Sequence, residues 1–503
     1  MMNKASWTSL YEVARKTCWA LFLICLPVTS FPFFPPALGG GALVRPLSLY
    51  PLIILFLIFT LPYVLRKSLP LTLLSVLPFV LVALASSLVA LMHGFQPALG
   101  VSIAERMFRA WVTLGLGLAI YLTVSIIARS SEELRSSLRW LYVGFSAALL
   151  WGSLQAVYVI RFSPQYFRLF TKLQKYISIR PLFSTRVSGM TYEPNWFAEQ
   201  ISFLLLPWLL SSVLTGYSVF RWRWRWLTIE WLLLGWAVVV MAFTFSRAGL
   251  ISLILLVLIS LLFLRPAHKA SPAKEKPRLR IWMRRLIEAG LAMIALVGFI
   301  YFAGSNSIFF SRLWSYWSEI KKNSLSGYFD YIGFGARFTY ADTALRTYEA
   351  YPLFGVGIGN YAFTFDQMMP DQPVAAMPEV LRLLTPEVDR DQLITPKNLY
   401  LRLLSETGLS GLATFLAFLV ALVGCIIFLW LSPDPEQKFW GKASLLGLIS
   451  FLMGALTFDS FAIPNMWVVF GLITSAAWIY RRPVANIPTA SSQTVIAEGD
   501  GEI

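Results

Sequence analysis

The stretch WLLLGWAVVVMAFTFSRAGLISLILLVLISLLFL, residues 231–264, decides the fold class, because Arg247 is its only charged side chain. A helix needs about 20 apolar residues to cross the hydrocarbon core of a bilayer, so this stretch is long enough for two spans. An arginine in the middle of a bilayer costs about 2.5–3.5 kcal/mol on insertion scales. The stretch therefore predicts two membrane helices with Arg247 at a short turn between them, where an arginine either contacts an anion or snorkels to water.

The composition of the whole chain agrees with this prediction. Of 503 residues, 57% are hydrophobic, 15% aromatic and 14% charged, whereas soluble domains carry about 25% charged residues. The net charge of +16 is then explained by basic cytoplasmic loops and by anionic lipid or phosphate partners, not by nucleic acid. The three cysteines lie in apolar runs and form no disulfide or zinc-binding pattern.

Apolar runs predict an all-α polytopic membrane protein with about twelve transmembrane helices. The first run has basic residues before it and no small-residue cleavage site after it, so it is expected to be a retained span. The runs lie at about 17–36, 47–65, 70–92, 110–128, 138–160, 195–214, 227–245, 248–264, 286–303, 407–431, 440–457 and 461–480.

The distribution of lysine and arginine predicts the orientation. With the N-terminus inside, the inner loops carry roughly twice the density of these residues found in the outer loops, which places both termini in the cytoplasm. The segment Arg221–Trp226 alternates arginine and tryptophan. This pattern is typical of an interfacial belt that touches anionic headgroups, and stacking on nucleic acid is the less favoured interpretation.

The predicted domain organisation has four parts. Residues 1–303 hold spans one to nine, with a cytoplasmic linker at 265–285; residues 407–482 hold spans ten to twelve; and residues 483–503 form a disordered tail. Residues 304–406 form one extracytoplasmic loop, partly helical, between spans nine and ten. A structureless loop of that length is unusual, so we expect it to be ordered and functional.

The segment before span six holds the first candidate site residues. Pro194 and Asn195 are typical helix-start residues. Arg186 and Glu193 then lie at the outer membrane surface, where they either serve a function or form an exposed ion pair worth about 0–1 kcal/mol.

Two features stand out in the large loop. Residues 337–350 have the pattern of a helix, and Gly355, Gly357 and Gly359 follow it. A dinucleotide site is excluded, because no βαβ unit surrounds these glycines and their spacing differs from the fingerprint. The better interpretation is a tight turn in which backbones approach closely.

The last motif opens span ten. Thr395 resembles an N-cap and Pro396 a first helical residue, which places Lys397 at a helix N-terminus. A lysine there can clamp a phosphate, or release its proton more easily and act as a base.

Further along the same segment, Gly408 and Gly411 permit close helix contacts. Glu406 follows Arg402 by four residues, so an ion pair within one helix face is the simplest interpretation of that carboxylate.

Together these elements resemble the O-antigen ligase and O-antigen polymerase superfamily of bacterial membrane glycosyltransferases. The resemblance covers about 180–430 and is carried by the order of the motifs: Arg-x-x-Gly…Pro-Asn at 186–195, Ser246-Arg247, Pro-Leu-Phe-Gly-Val-Gly-Ile-Gly-Asn at 352–360, and Asn-x9-Gly-x-x-Gly at 398–411.

This resemblance implies a fold and an activity. The fold would be that of lipid-donor glycosyltransferases in a bacterial inner membrane. The activity would be transfer of a glycan from a polyprenyl diphosphate to a hydroxyl of a glycan or lipid acceptor on the extracytoplasmic side. No cofactor or metal is expected, and the first outer loop, about 93–109, holds no Asp-x-Asp cluster.

The resemblance also implies roles for residues. Arg186 and Arg247 match family arginines that hold the donor diphosphate, and Arg337 is a further candidate. Lys397 stands where ligases commonly place a histidine, so it is the first candidate for the base, before Glu193 and Glu406; as a base, it would need its pKa lowered far below about 10.4. The supporting residues are Asn398, Asn195, Gly357 and Gly359.

Alternatives remain open at this point. Ligase and polymerase are not separated by these motifs, and the acceptor is undefined. A solute transporter is the second hypothesis, because some members of the superfamily have been labelled as inorganic-carbon transporters. A noncatalytic assembly factor is the third. The enzyme hypothesis predicts that Arg186, Arg247 and Lys397 converge on one outward-facing cavity beneath the large loop.

Overall fold

The structure is a computed structural model that describes residues 4–35, 43–225, 227–264, 278–304, 316, 324–331, 334–370, 378–385 and 393–481. The predicted tail lies outside these residues, as do positions 265–277 of the predicted linker and several parts of the predicted outer loop.

The described helices run in chain order as follows: α1 (Lys4–Cys25), α2 (Leu49–Val64), α3 (Leu71–Ala90), α4 (Ile103–Ile127), α5 (Ser131–Ile160), α6 (Pro164–Gln174), α7 (Pro194–Thr215), α8 (Ile229–Ala242), α9 (Arg247–Leu264), α10 (Arg278–Gly304), α11 (Leu325–Tyr331), α12 (Gly335–Ala350), α13 (Tyr361–Met368), α14 (Pro378–Leu384), α15 (Leu399–Leu431), α16 (Pro435–Gly454) and α17 (Pro464–Arg481). A short antiparallel hairpin joins β1 (Arg223–Trp224) to β2 (Leu227–Thr228).

The helical membrane fold predicted from hydropathy is confirmed. Among the described residues, 7 helices are long and apolar enough to cross a membrane: α3, α4, α5, α7, α9, the Arg285–Phe302 part of α10, and α15. Each of the twelve predicted runs overlaps a helix, but the count of twelve spans stays a prediction. The first run was placed too far along the chain, since α1 ends at Cys25.

Helices α7 and α17 form the centre of the bundle. In α7, 83% of the most apolar window is buried, against 11% in α10, which therefore lies at the periphery. Helix α17 packs along α4, and α7 packs along α16. The central position of α7 matters for the site, because this helix begins with the Pro194-Asn195 motif.

Polar contacts gather at two opposite edges of the bundle. At one edge, which we call the inner edge, the buried Arg15 bonds both Glu12 and Glu133 at 2.7 Å, and Arg135 bonds Tyr217. The opposite, outer edge carries the loops at 178–193, 243–246, 351–360, 393–398 and 455–463. The inner edge contains the loops that are predicted to be cytoplasmic.

Several helices begin at the outer edge. Side chains of Ser102, Ser246 and Asn398 cap α4, α9 and α15 by accepting backbone amides three residues further on, and proline opens α7 and α17. A helix N-terminus carries free amide donors and partial positive charge. The outer edge therefore favours anions.

Helix α15 is interrupted at Gly408, where φ is 67° and ψ is −169°. A Cβ atom there would lie 2.3 Å from the backbone oxygen of Leu353. The close contact at Gly408 is thus with the turn at 351–356 and not with another helix as predicted, and a Cβ at Gly411 would meet Thr407 of the same helix. The contact at Gly408 brings the first two turns of α15 against the Pro-Leu-Phe-Gly segment.

Replacing Gly408 by alanine should therefore prevent correct packing, because the methyl group meets rigid backbone and the φ is unfavourable for an L-residue. We expect a fall of at least 3 kcal/mol in the free energy of unfolding, or loss of monodisperse protein in detergent. Gly424 in the same helix is the control, since a Cβ there has nothing within 4 Å. Equal thermal stability of Gly408→Ala and Gly424→Ala would contradict this account.

Candidate active site

Two separate segments meet around Arg186 and Arg247. The backbone amide of Val187 donates to the oxygen of Phe243 at 2.9 Å, and the Arg186 Nε donates to the oxygen of Thr244 at 2.8 Å. The chain before α7 is thereby fixed against the turn that opens α9 with Arg247. These two motifs, far apart in sequence, therefore lie together, while the predicted cavity shared with Lys397 stays a prediction.

Close packing of α7 and α9 maintains this arrangement. A Cβ at Gly249 would lie 2.5 Å from the Cβ of Ala198, so the glycine in Ser-Arg-Ala-Gly is needed for the approach of the two helices. Ser246 caps α9 and is buried. Arg247 is held at the first turn of α9, next to the start of α7.

The two guanidinium groups affect each other. Burial is the main cause that lowers the pKa of Arg186 to about 10, and the positive charge of Arg247 adds to this effect while Glu193 opposes it. Arg186 also donates to the Oδ1 of Asn195 at 2.9 Å. Arg186 therefore stays protonated at neutral pH, and two neighbouring guanidinium groups are suited to a multiply charged anion such as a diphosphate.

The expected partner of Glu193 is corrected. Its carboxylate pairs with Arg180 at 2.5 Å, whereas Arg186 bonds Asn195. Arg180 in turn lies over the rings of Phe183 and Tyr192, at 4.7 and 4.8 Å from their centres. Because Glu193 is already paired, it is a weaker candidate for the base than its position in the sequence indicated.

A second cluster forms around Lys397. Lys397 has a φ of 55°, and its backbone amide donates to the Oδ2 of Asp459 at 2.7 Å. The predicted cap is also corrected: α15 begins at Leu399 with Asn398 as its N-cap. The left-handed φ at Lys397 is incompatible with a helix starting at Pro396, so Lys397 precedes the helix and does not form its first turn.

Asp459 links Lys397 to α15. Burial alone would raise the pKa of Asp459, but the charges of Lys397 and Arg402 outweigh burial and hold that pKa below its ordinary value. Arg402 also donates to the backbone oxygen of Asp459. The carboxylate therefore compensates two cations in a buried position.

Glu406 has a structural role. The predicted pair with Arg402 is confirmed at 2.9 Å, with 7% and 2% of the two side chains exposed. The other contact of the same carboxylate is the amide of Gly359, at 2.7 Å. The guanidinium and the amide share the Oε2 of Glu406, so this carboxylate anchors the outer loop, and its pairing with Arg402 makes it a weaker candidate for the base.

The glycine series forms the predicted tight turn. Gly355, Gly357 and Gly359 have φ values of 66°, 88° and 86°. The amide of Gly357 donates to the backbone oxygen of Glu406 at 2.8 Å, and a Cβ at Gly355 would lie 2.5 Å from the backbone of Glu406. Gly357 and Gly359 thus support the site by fixing the loop on α15.

Arg337 does not join these clusters. It lies on the exposed side of the predicted and observed helix α12. Within the described part of the chain, no ion pair or hydrogen bond connects it with Arg186, Arg247 or Lys397.

Helix α7 lies between the two clusters. Asn195 contacts Arg186, and one turn further Glu199 accepts a hydrogen bond from Asn465 at 3.2 Å. Asn465 opens α17, directly after the loop that holds Asp459. The structure thus connects the Arg186–Arg247 cluster to the Lys397–Asp459 cluster through one helix, without a direct bond between them among the described residues.

Sequence reasoning missed Glu199, Asp459 and Arg180. Two of them carried a signal: Glu199 is the only charge in residues 195–220, and Asp459 is the only one in residues 443–480. An ionisable residue in an apolar run is a functional candidate by default. Arg180 had no comparable signal.

An Asp459→Asn change tests the second cluster through stability. It would remove a buried negative charge that interacts with Lys397 and Arg402 and accepts the Lys397 amide, and loss of a hydrogen bond to a charged group costs about 1.5–3 kcal/mol. Because the folded pKa is lowered, the contribution of Asp459 is fully present above its unfolded pKa of about 4 and is lost as the pH falls below that value through the lower folded pKa.

The measurement is thermal unfolding in detergent at pH 7 and at acid pH. The control is Asp342→Asn, which removes an exposed partner of Arg346. Asp459→Asn should have a lower thermal midpoint than wild type at pH 7, and the difference between the two proteins should become smaller below pH 4. If the midpoint of Asp459→Asn at pH 7 equals that of Asp342→Asn, the structural role assigned to Asp459 is contradicted.

Fold and site together define a multi-pass helical membrane protein whose outer edge holds cations from several segments beside helix N-termini. Comparison with protein families matches residues 231–416 to the family described as O-antigen ligase. This match supports membership of the O-antigen ligase superfamily, as the sequence motifs indicated. No curated protein sequence matches the chain.

The match supports a general glycan-transfer activity that uses lipid-linked glycans, and an enzyme of the glycosyltransferase type. It gives no support to the transporter hypothesis. The matched region includes Arg247, Arg337, the glycine turn, Lys397 and the start of α15.

Proposed function

We propose that this protein transfers a glycan from a polyprenyl diphosphate to a hydroxyl acceptor on the extracytoplasmic face of a bacterial inner membrane, without a metal. The product belongs to cell-surface polysaccharide biosynthesis, and both termini lie in the cytoplasm. The observation that carries the proposal is the contact between the Arg186 segment and the Arg247 turn, which places two guanidinium groups together where α7 and α9 begin.

The chemistry requires such a cluster. The acceptor hydroxyl attacks the anomeric carbon, the bond from that carbon to the diphosphate oxygen breaks, and the polyprenyl diphosphate leaves with the electron pair. Charge grows on the leaving oxygen, so fixed donors that are already in place lower the barrier most. Arg186 and Arg247 supply these donors, and bidentate guanidinium–phosphate contacts also orient the donor.

Lys397 acts as a further fixed cation in this proposal. Its charge interacts with the buried Asp459 carboxylate, and a lysine held beside a carboxylate suits a phosphate clamp better than a base. Ligases commonly have a histidine at this position, and its replacement by lysine therefore changes the role of the residue. In this proposal the proton acceptor is another group.

The direct test is reconstitution of the purified protein in liposomes with a polyprenyl-diphosphate oligosaccharide and a candidate acceptor. A product that gains one oligosaccharide block supports a ligase, and a ladder of blocks supports a polymerase. If no acceptor gains sugar while a solute crosses the same vesicles, glycan transfer is the wrong function.

A further inference from the structure

We propose that Glu199 is the catalytic base that takes the proton from the acceptor hydroxyl. This inference rests on the proposed glycan transfer and names the proton acceptor that the proposed reaction requires. It starts from a half-buried carboxylate inside α7, the central helix of the bundle.

Glu199 differs from the other candidate carboxylates in its contacts. Glu193 pairs with Arg180 and Glu406 pairs with Arg402. Within the described residues, no lysine or arginine forms an ion pair with Glu199, and its protein contact is the amide of Asn465 on one oxygen. The second oxygen of Glu199 thus keeps acceptor capacity, and no guanidinium neutralises this carboxylate as Arg180 and Arg402 neutralise Glu193 and Glu406.

The position of Glu199 follows from helix geometry. Residues four apart share one face of a helix, so Glu199 lies one turn, about 6 Å, below Asn195 and its partner Arg186. The adjacent Ala198 faces Gly249, two residues after Arg247. On the other side, Asn465 connects Glu199 to the helix that follows the Asp459 loop.

This position suits the removal of the proton from the acceptor hydroxyl. The clusters of cations on either side bind negative charge, while a carboxylate between them offers the proton acceptor that a hydroxyl nucleophile needs. The acceptor oxygen forms its bond to the anomeric carbon, its proton passes to the free oxygen of Glu199, and the diphosphate leaves. General base catalysis of this kind contributes about 10²–10⁴-fold.

Glu199→Gln is the test, because glutamine keeps the shape and can still accept the hydrogen bond from Asn465. We expect kcat for glycan transfer to fall at least a hundredfold, with the KM for the lipid donor within about threefold of wild type. Glu436→Gln, which changes a carboxylate paired with Arg135 at the inner edge, is the matched control and should leave kcat unchanged. A purely structural role for Glu199 would instead change the thermal midpoint or the donor KM.

The outcomes separate this inference from the proposed function. If wild type transfers glycan and Glu199→Gln keeps kcat within threefold, the base assignment is overturned while the function stands. If wild type transfers nothing, the function itself fails, and the assignment of a base fails with it. Should Glu199→Gln not accumulate, Glu199→Asp carries the test: a carboxylate shortened by one methylene should cost at least tenfold in kcat at a native thermal midpoint, and an unchanged kcat would overturn the proposal.

Discussion

Replacing Arg247 by alanine should lower glycan transfer at least a hundredfold while the protein still inserts and folds. Loss of one preorganised donor to a developing oxyanion costs about 10²–10³-fold in rate. Arg247 lies at the first turn of α9, beside Arg186 and the start of α7. Its removal leaves Arg186 as the remaining guanidinium of the pair that we propose binds the diphosphate.

Two further variants make this prediction specific. Arg247→Lys keeps the charge but loses bidentate geometry, so it should retain intermediate activity. Arg346→Ala removes an exposed arginine of α12 that pairs with Asp342 along the same helix, and it should leave the rate unchanged. Full activity in Arg247→Ala would remove the residue from the donor site.

The second large effect concerns Lys397. As a fixed cation it should be replaceable by arginine with substantial activity left, whereas Lys397→Met should lose about tenfold to a hundredfold. If Lys397 took the proton, Lys397→Arg would be nearly inactive, because a guanidinium does not release its proton near neutral pH.

Stability measurements must accompany these variants. The backbone of Lys397 has a positive φ and bonds Asp459, and both features are retained when only the side chain changes. Native thermal midpoints in both variants would tie a rate difference to the side chain itself. An inactive Lys397→Arg protein with a native midpoint would return Lys397 to the role of base.

The sequence predicted the helices well because hydropathy acts locally. Each apolar run overlaps a helix, and the helix at 337–350 and the pair of Arg402 with Glu406 follow from spacing along one helix. The glycine turn at 355–359 was also predictable, since alternating glycines indicate backbone conformations that other residues avoid.

Contacts between distant segments were harder to predict. Glu193 has Arg180 and Arg186 within reach along the chain, and only the fold shows that Arg180 takes it. The start of α15 was misplaced because Asp459, 62 residues away, binds the amide of Lys397 and holds that residue in a non-helical conformation. A local cap pattern cannot report such a partner.

The central claim is that cations from separate segments hold a lipid diphosphate at the outer edge of the bundle. Binding of a polyprenyl diphosphate and of the matching polyprenyl alcohol to protein in lipid nanodiscs tests this claim most directly, for wild type, Arg346→Ala and an Arg186→Ala/Arg247→Ala double variant. We predict that wild type and Arg346→Ala prefer the diphosphate at least tenfold and that the double variant loses this preference. Equal binding of the two lipids by wild type, or an unchanged preference in a folded double variant, would contradict the account.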